Sequence, residues 1–480
     1  MNKLKLFLEN FIIYGIGGII SKIIPLIMVP IVTRIMPNSM YYGISDMSNT
    51  VVQFGSAIAI MGMYDAMYRM FFEKEDEHYK KKICSTALAF TILTSVVVFL
   101  IMIIFKDKIA HYFLGNQRYF YVIYLSAIAT LVGATNGIIS APTRMQNKRK
   151  IFLITNTISP ILSYSISIPM LLSGHYIIAL PLAGIVSGVI MEISFGILNR
   201  EWFDIRLFDF KLLKQLLVIA IPLLPNFLIY WIFNSCDKVM ITNILGIEQA
   251  GLYSVSSKLG HCSQLIYTAF AGGWQYFAFS TMNEENQVKS NSLVFEYLGI
   301  ISFFATAFMC SCSYVIFKVL FTKEYWESYI AAPYLFIAPL LQMLFQIAAN
   351  QFLVVKKTWP NIFILSIGAI LNIILNLLLI PRLGIEGAAI ATFLGYIISD
   401  IICVLVLIKM KLMIISKKFV FSIIIFCSFL IVWRLFCKTN MMININLVLL
   451  MLGFNIWIYR GDLTKFFKII KISYNFLKKS

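Results

Sequence analysis

The tetrapeptide GISD at residues 43–46 returns in outline as GLYS at residues 251–254, which is 208 positions later in a chain of 480 residues. Each tetrapeptide opens a long apolar stretch. The same offset relates QNKRK at 146–150 to VVKKT at 354–358, and each of these basic stretches precedes another apolar segment. Repetition at one fixed offset predicts that the chain contains two copies of one structural unit.

The composition predicts that these units lie in a membrane. Hydrophobic residues make up 60% of the chain and charged residues 13%, whereas soluble domains contain about 25% charged residues. Apolar stretches of roughly 18 to 25 residues recur from end to end, and each is long enough to cross the hydrocarbon core as a helix. We therefore predict an all-α polytopic membrane protein with about 14 transmembrane helices, near residues 11–33, 41–68, 84–105, 119–142, 151–172, 177–198, 213–234, 247–273, 294–317, 329–354, 361–380, 386–408, 419–436 and 441–459.

The offset of 208 residues divides these helices into two sets of six. Because six is an even number, both sets keep the same orientation, and a pseudo-twofold axis along the membrane normal should relate them. We predict an N-lobe at 1–209 with helices 1–6 and a C-lobe at 210–412 with helices 7–12. Residues 413–480 then supply helices 13 and 14 and a basic cytoplasmic tail.

The placement of the charges gives the orientation. The net charge is +18, and with alternating sides 28 of the Lys and Arg residues fall on one face of the membrane and 8 on the other. The positive-inside rule then puts both termini in the cytoplasm. The excess positive charge is thus explained by topology and by anionic lipids, and a nucleic acid partner is not needed. The first apolar stretch lacks a small-residue cleavage site, so we expect a retained span and not a signal peptide.

The sequence contains no recognisable catalytic or metal-binding pattern. Walker and HExxH motifs are absent, and no loop is much longer than about 20 residues. The eight Cys lack metal-site or redox spacing, so we expect free thiols packed as small apolar groups. We therefore expect neither an enzyme nor a cofactor or metal ion.

Polar residues inside the predicted helices are the candidates for function. Asp46, Thr50 and Gln53 share one face of the second helix, and Lys258 and His261 share one face of the eighth. A lysine at the centre of a membrane helix costs about 3 kcal/mol. Two explanations stay open: a buried ion pair with Asp46 or Asp237 that fixes helix register, or a water-filled cationic cavity. For His261, a packing role and a binding role remain equal alternatives.

Other polar residues inside the predicted helices are also compatible with both a buried ion pair and a cationic cavity. Lys22 lies near the middle of the first helix, and Arg34 lies near its outer end. In the tenth helix, Gln342, Gln346 and Asn350 form a stripe that fits interhelical hydrogen bonding and sugar contacts equally well. Three acidic residues are candidates for binding a coupling ion, H⁺ or Na⁺, or for pairing with buried cations: Asp46, Glu192 and Asp400. Glu192 and Asp400 are 208 residues apart, in the sixth and twelfth helices.

At this point the chain resembles the polysaccharide repeat-unit flippase family, in the superfamily that also contains multidrug/toxin antiporters and lipid II flippases. The stretches that carry the resemblance are IVTRIMPNSMYYGISDMSNTV (31–51), GMYDAMYRMFF (62–72), AGLYSVSSKL (250–259) and IPRLGIEGAAIAT (380–392). Together with the arrangement of six, six and two helices, they cover nearly the whole chain.

The resemblance implies export of oligosaccharides linked to undecaprenyl diphosphate from the cytoplasmic to the outer leaflet of a bacterial inner membrane, for O-antigen, lipopolysaccharide or capsule biosynthesis. Two lobes would rock about a central cavity, with Lys22, Arg34 and Lys258 as its cations and His261 beside them. Membrane lipids and a polysaccharide polymerase are the implied partners. A hydrated, positive interior would replace the lost hydration of the diphosphate.

Three other functions remain as alternatives. A lipid II flippase carries the same diphosphate, and a drug/cation antiporter has the same fold. The first helix contains Lys22 and no acidic residue, which favours an anionic cargo. A membrane glycosyltransferase or polymerase fits less well, because such enzymes usually carry a sizeable catalytic segment outside the membrane.

Overall fold

The computed structural model describes residues 3–268, 270, 274, 278, 284–355, 357 and 359–477, with side chains from residue 19 to residue 462. The described residues form helices joined by short turns. The α-helices are α1 Lys3–Ile35, α2 Ser39–Ile60, α3 Met63–Phe71, α4 Glu77–Ile104, α5 Lys106–Leu114, α6 Phe120–Ile139, α7 Ala141–Met145, α8 Arg149–Leu172, α9 Ala179–Leu198, α10 Phe210–Ala220, α11 Leu224–Trp231, α12 Asp237–Leu245, α13 Ile247–Gly260, α14 Gln287–Leu320, α15 Ala332–Val354, α16 Trp359–Leu383, α17 Ile385–Lys409, α18 Lys417–Val432 and α19 Met441–Leu477.

The predicted all-α polytopic architecture is confirmed. Among the described residues, 11 helical segments are long and apolar enough to cross a membrane. The other three predicted spans correspond to α1, to α2 with α3, and to α13. The C-terminal end of the predicted eighth span falls partly on residues 269 and 271–273, outside the described residues. All eight cysteines are free thiols, as predicted.

The repeated glycines mark where the two halves of the chain approach each other most closely. Gly43 in α2 faces Gly251 in α13. A Cβ added at Gly43 would lie 2.3 Å from the carbonyl oxygen of Ile247, and one at Gly251 would lie 2.1 Å from the carbonyl oxygen of Ser39. Only glycine allows the two backbones to come this close. The two positions related by the repeat therefore meet, and the residues one turn further along each helix are brought together.

The seventh predicted span is not one continuous helix. A 3₁₀ turn at Ile221–Leu223 separates α10 from α11, and a π turn at Ile232–Cys236 separates α11 from α12. Pro222 removes a backbone hydrogen bond, which explains the first break. Because the helical path continues to Leu245, this segment reaches eleven residues beyond its predicted end at residue 234.

Contacts between helices fall largely into two groups. Helices α1, α2, α4, α6, α8 and α9 pack on one another, and so do α12, α13, α14, α15, α16 and α17. At the start of the second half, α10 packs against α3 and α4, where Leu216 joins an apolar cluster with Met63 and Met67. The predicted lobe boundary between residues 209 and 210 stays a prediction.

Hydrogen bonds at the two ends of α18 fix this helix to the second group. The indole nitrogen of Trp433 donates to the carbonyl oxygen of Cys310 at 3.1 Å. The hydroxyl of Ser416 donates to Glu296 at 2.7 Å. Since Cys310 and Glu296 both belong to α14, these bonds hold α18 on this helix, and α19 packs on α14 as well.

Candidate functional site

A central cavity of about 520 Å³ lies between α1, α2 and the segment from α11 to residue 265. Its walls come from both halves of the chain. They contain three lysines, Lys22, Lys238 and Lys258, together with His261. Gln53, Asn234, Ser257 and Gln264 are further polar lining residues. The structure therefore brings together Lys22, Gln53, Lys258 and His261 from the residues predicted by sequence.

Asp46 lies between two of the lysines. Its Oδ2 is 2.6 Å from Nζ of Lys238, and its Oδ1 is 3.5 Å from Nζ of Lys258. The side chain of Asp46 is 5% exposed and that of Lys238 is 11% exposed, whereas that of Lys258 is 43% exposed. Lys258 is thus both ion-paired and accessible from the cavity, so the two explanations offered by the sequence are not exclusive.

Sequence reasoning missed Lys238 as a cavity residue. The charge count placed it in an outer loop, because the seventh span was predicted to end at residue 234. In the structure it belongs to α12 and lines the cavity. The available signal was the pair Asp237–Lys238 directly after an apolar stretch, which can be read as the buried continuation of a helix.

Lys22 has a different environment. Its Nζ donates to Oε1 of Gln264 at 3.1 Å and to Oγ1 of Thr268 at 3.3 Å. Both acceptors are neutral, and no salt bridge joins Lys22 to a described carboxylate. Its positive charge therefore adds to the field inside the cavity. Three lysines and the single carboxylate of Asp46 give these four side chains a formal charge of +2.

His261 begins the 3₁₀ turn that follows α13. Its Nδ1 lies 2.6 Å from the carbonyl oxygen of Ser257, one helical turn earlier. A hydrogen on Nδ1 would satisfy this contact and leave Nε2 as the acceptor of a neutral ring. The contact fits a packing role, and the position in the cavity wall fits a binding role, so both alternatives remain.

Arg34 and Thr50 do not line this cavity. Nε and Nη2 of Arg34 donate to the carbonyl oxygens of Leu320 and Val319, at 3.1 and 2.8 Å. Arg34 thus caps the C-terminal end of α14 and links the first helix to the second half. Thr50 donates to the carbonyl oxygen of Asp46 at 3.1 Å, within its own helix.

The amide stripe of α15 faces other spaces. Gln346 and Asn350 line a second cavity of about 580 Å³, and Tyr230 belongs to the walls of both this cavity and the central one. The hydroxyl of Tyr267 donates to Oε1 of Gln346 at 2.7 Å. Gln342 instead lines a small void of about 10 Å³.

The remaining acidic candidates differ from Asp46 and from each other. Glu192 is half-buried and interacts with the hydroxyl of Thr135. Asp400 is 8% exposed, and neither of its oxygens has a hydrogen-bond partner among the described atoms. Asp237, which the sequence offered as a partner for Lys258, instead accepts hydrogen bonds from the hydroxyls of Tyr253 and Thr392. The described residues contain no cluster of three or more His, Cys, Asp or Glu that could hold a metal ion.

Comparisons of the sequence with known proteins identify relatives. The family model described as "Polysaccharide biosynthesis protein" matches residues 31–330. Uncharacterized membrane protein MJ1375 of Methanocaldococcus jannaschii is 22% identical over 386 residues, which cover 77% of this chain and 89% of the relative. Uncharacterized membrane protein MJ1068 of the same organism is 25% identical over 386 residues, which cover 75% of each chain.

Comparisons of the structure show the fold. Lipid II flippase MurJ in an inward closed conformation superposes with a TM-score of 0.70 at 16% identity, covering 94% of this chain and all of MurJ. A multidrug resistance MATE family transporter of the MOP superfamily, in an inward-facing conformation, gives a TM-score of 0.60 at 13% identity, covering 82% of this chain and 94% of the transporter. The helices of this chain are therefore arranged as in these transporters.

Proposed function

This chain belongs to the polysaccharide biosynthesis protein family, and from that premise we propose that it is a flippase for oligosaccharides linked to undecaprenyl diphosphate. It moves them from the cytoplasmic to the outer leaflet of a bacterial inner membrane, with both of its termini in the cytoplasm. The family match supports the resemblance drawn from the sequence, and the chain shares its fold with a MATE family transporter of the MOP superfamily.

The observation that carries the proposal is the charge of the central cavity. Lys22, Lys238 and Lys258 line the cavity, and the last two pair with the single carboxylate of Asp46. The formal charge of these four side chains, +2, matches the two ionised phosphates of a sugar-linked diphosphate. Moving an unpaired ion from water into hydrocarbon costs tens of kcal/mol in the limiting case. Lysine ammonium groups in a hydrated cavity offset that cost, because charge-assisted hydrogen bonds to phosphate are among the stronger polar contacts in proteins.

The second cavity supplies chemistry suited to a sugar. Amide groups of Gln346 and Asn350 can donate to and accept from hydroxyl groups, while Tyr267 and Trp274 offer aromatic surface. Because Tyr230 lines both cavities, the sugar can occupy the second cavity while the diphosphate occupies the first. Ligand-binding cavities in proteins typically have volumes of about 300 to 1,000 Å³. The volumes of the central cavity and of the second cavity both lie in that range.

Translocation follows from opening and closing the two halves on opposite sides. In this conformation the halves are joined near the predicted outer side by the Gly43–Gly251 contact and by Arg34. Glu324 adds a third link by accepting from the backbone nitrogen of Ser39 at 2.8 Å. We propose that the outer side is closed here, and that release of the cargo outside requires these links to separate.

Lipid II is the nearest alternative cargo, because it carries the same diphosphate and MurJ has the same fold. A cation antiporter is disfavoured by the net positive charge of the central cavity. The two flippase functions differ in the sugar, so the identity of the accumulated intermediate distinguishes them.

The test is to deplete the protein in its own cells and identify the lipid-linked intermediate that accumulates on the cytoplasmic face. We expect a polyprenyl diphosphate carrying an oligosaccharide repeat unit. Rescue by Lys22→Ala or Lys258→Ala should be impaired, whereas the exposed Lys438→Ala should rescue fully. Accumulation of lipid II would assign the alternative cargo. Full rescue by both cavity variants, or no accumulation at all, would refute the proposal.

A further inference from the structure

Asp400 is an acidic side chain deep within the membrane-spanning part of the C-terminal half. It is the sixteenth of the 25 residues of α17, three residues from the midpoint of that helix. At about 1.5 Å per residue, this places it within about 5 Å of the middle of the helix. Only 8% of the residue is exposed, and both carboxyl oxygens are buried.

Nothing among the described atoms compensates a charge at this position. Neither oxygen of Asp400 has a hydrogen-bond partner, and no salt bridge reaches it. An ionised carboxylate buried in this way loses several kcal/mol of hydration without replacement. Such groups avoid the loss by taking up a proton.

The surrounding titratable groups do not change this conclusion. On its own helix, Tyr396 and Cys403 interact electrostatically with Asp400, and neither is a cation. The helices packed against α17 are α12, α13, α15 and α16. Their titratable groups are Asp237, Lys238, Glu248, Tyr253, Lys258, Tyr334 and Arg382, and none of them hydrogen-bonds to a carboxyl oxygen of Asp400.

A small void, lined mainly by polar residues, lies between the wall of the central cavity and the helical turn that precedes Asp400. The void of about 10 Å³ shares Asn234, Ser257 and His261 with the wall of the central cavity. Tyr396, which lies one helical turn before Asp400, also lines this void. Roughly 10 to 15 Å³ is the smallest space that holds one water. A small movement of α17 can therefore bring water to Asp400 from the cavity side.

We propose that Asp400 is the proton-binding site that couples the transport cycle to a proton gradient. The inference rests on the proposed function. Of the three acidic residues that the sequence offers for binding a coupling ion, it selects Asp400. In this conformation the carboxyl group is neutral. In the conformation that hydrates it, its O–H bond breaks, the proton passes to water, and a solvated carboxylate remains. A sodium ion needs several oxygen ligands, and the described residues contain no cluster of three or more His, Cys, Asp or Glu that includes Asp400.

The protonation state can be tested without transport. Infrared spectra of the purified full-length protein at pH 7 should contain the C=O stretching band of a protonated carboxylic acid. We expect Asp400→Asn to lose this band, Asp400→Glu to shift it, and Glu192→Gln to retain it. Glu192 is the matched control because it occupies the repeat-related position and has Thr135 as a partner. A spectrum unchanged in both Asp400 variants would overturn the inference.

Coupling is tested in proteoliposomes with fluorescent undecaprenyl diphosphate N-acetylglucosamine as the probe. We expect an imposed pH gradient to change the flipping rate of the wild type several-fold and to leave that of Asp400→Asn unchanged. A wild type that flips the probe at a rate independent of the gradient would overturn the coupling, while the proposed function stands. If the wild type flips no probe but the infrared band is lost in Asp400→Asn, the proton site stands and the proposed function fails.

Discussion

The pairing of one carboxylate with two lysines predicts unequal consequences when each partner is removed. Asp46 and Lys238 are both buried and 2.6 Å apart, so Asp46→Asn leaves a buried ammonium without a counter-charge. Breaking a buried pair in this way costs about 3 to 5 kcal/mol. Lys258 is 43% exposed at 3.5 Å from Asp46, so Lys258→Met should cost less than about 1 kcal/mol, as for surface pairs.

The assay is a double-mutant cycle on the free energy of unfolding, measured by denaturant titration in detergent micelles. We expect Asp46→Asn to destabilise strongly and the double variant Asp46→Asn/Lys238→Met to recover most of the loss, because the buried charge is then removed. Lys258→Met should leave stability nearly unchanged and weaken binding of undecaprenyl diphosphate.

Two results would contradict the reasoning. If Lys258→Met destabilises as much as Lys238→Met, then Lys258 is a structural partner and not a residue available to cargo. If Asp46→Asn is neutral, the carboxylate does not compensate Lys238 and the assigned charge of the cavity is wrong.

Three further predictions concern other parts of the fold. Gly43→Ala and Gly251→Ala should each lower the melting temperature, because the added Cβ would meet backbone atoms at 2.3 and 2.1 Å. Overpacking of this kind typically costs about 1 to 3 kcal/mol. The control Gly184→Ala should leave the melting temperature unchanged, because no atom lies within 4 Å of the added Cβ. Arg434→Met should destabilise the protein by about 3 to 5 kcal/mol, because it leaves the carboxylate of Glu386, which is 7% exposed, without its bidentate partner. Adding Glu386→Gln should restore most of the free energy of unfolding. If it does not, loss of the ion pair is not the cause. Backbone hydrogen bonds from Leu212 and Lys211 hold the pKa of Asp209 below its usual range at the start of α10. This cap should therefore stabilise the helix above about pH 4 and be lost as the pH falls through the lowered pKa. Hydrogen-exchange protection factors in α10 that are equal at pH 7 and pH 2, or unaffected by Asp209→Ala, would argue against it.

The sequence was sufficient for the helices because each must hide its backbone from lipid within its own length. That constraint is local, so apolar stretches alone place a helix in each predicted span as far as the described residues cover it, and 11 helical segments there are long and apolar enough to cross a membrane. The repeat related Gly43 to Gly251 as equivalent positions, but their close contact is a finding of the structure, because equivalent positions meet only where the axis passes between them.

The parts of the site that sequence did not predict depend on contacts between distant residues. Lys238 resembled the start of a loop because its partner, Asp46, is 192 residues away. Arg34 lies near Lys22 along the chain, but it binds carbonyl oxygens at the end of α14, 285 residues further on. Charge and approximate depth are visible in a sequence, whereas the direction in which a long side chain reaches is decided by neighbours that only folding brings together.

The two halves have the same order of helices but different charged residues at equivalent positions. This difference explains how Lys258 is available to bind an anionic cargo. Thr50 and Gln53 occupy in the first half the positions that Lys258 and His261 occupy in the second. The first half contributes the carboxylate of Asp46 instead. Because Lys238 alone satisfies that carboxylate at 2.6 Å, Lys258 can turn toward an anion in the cavity without leaving Asp46 unpaired. The arrangement therefore keeps one lysine as a fixed counter-charge and leaves the other available, which a simple pair of one acid and one lysine could not do.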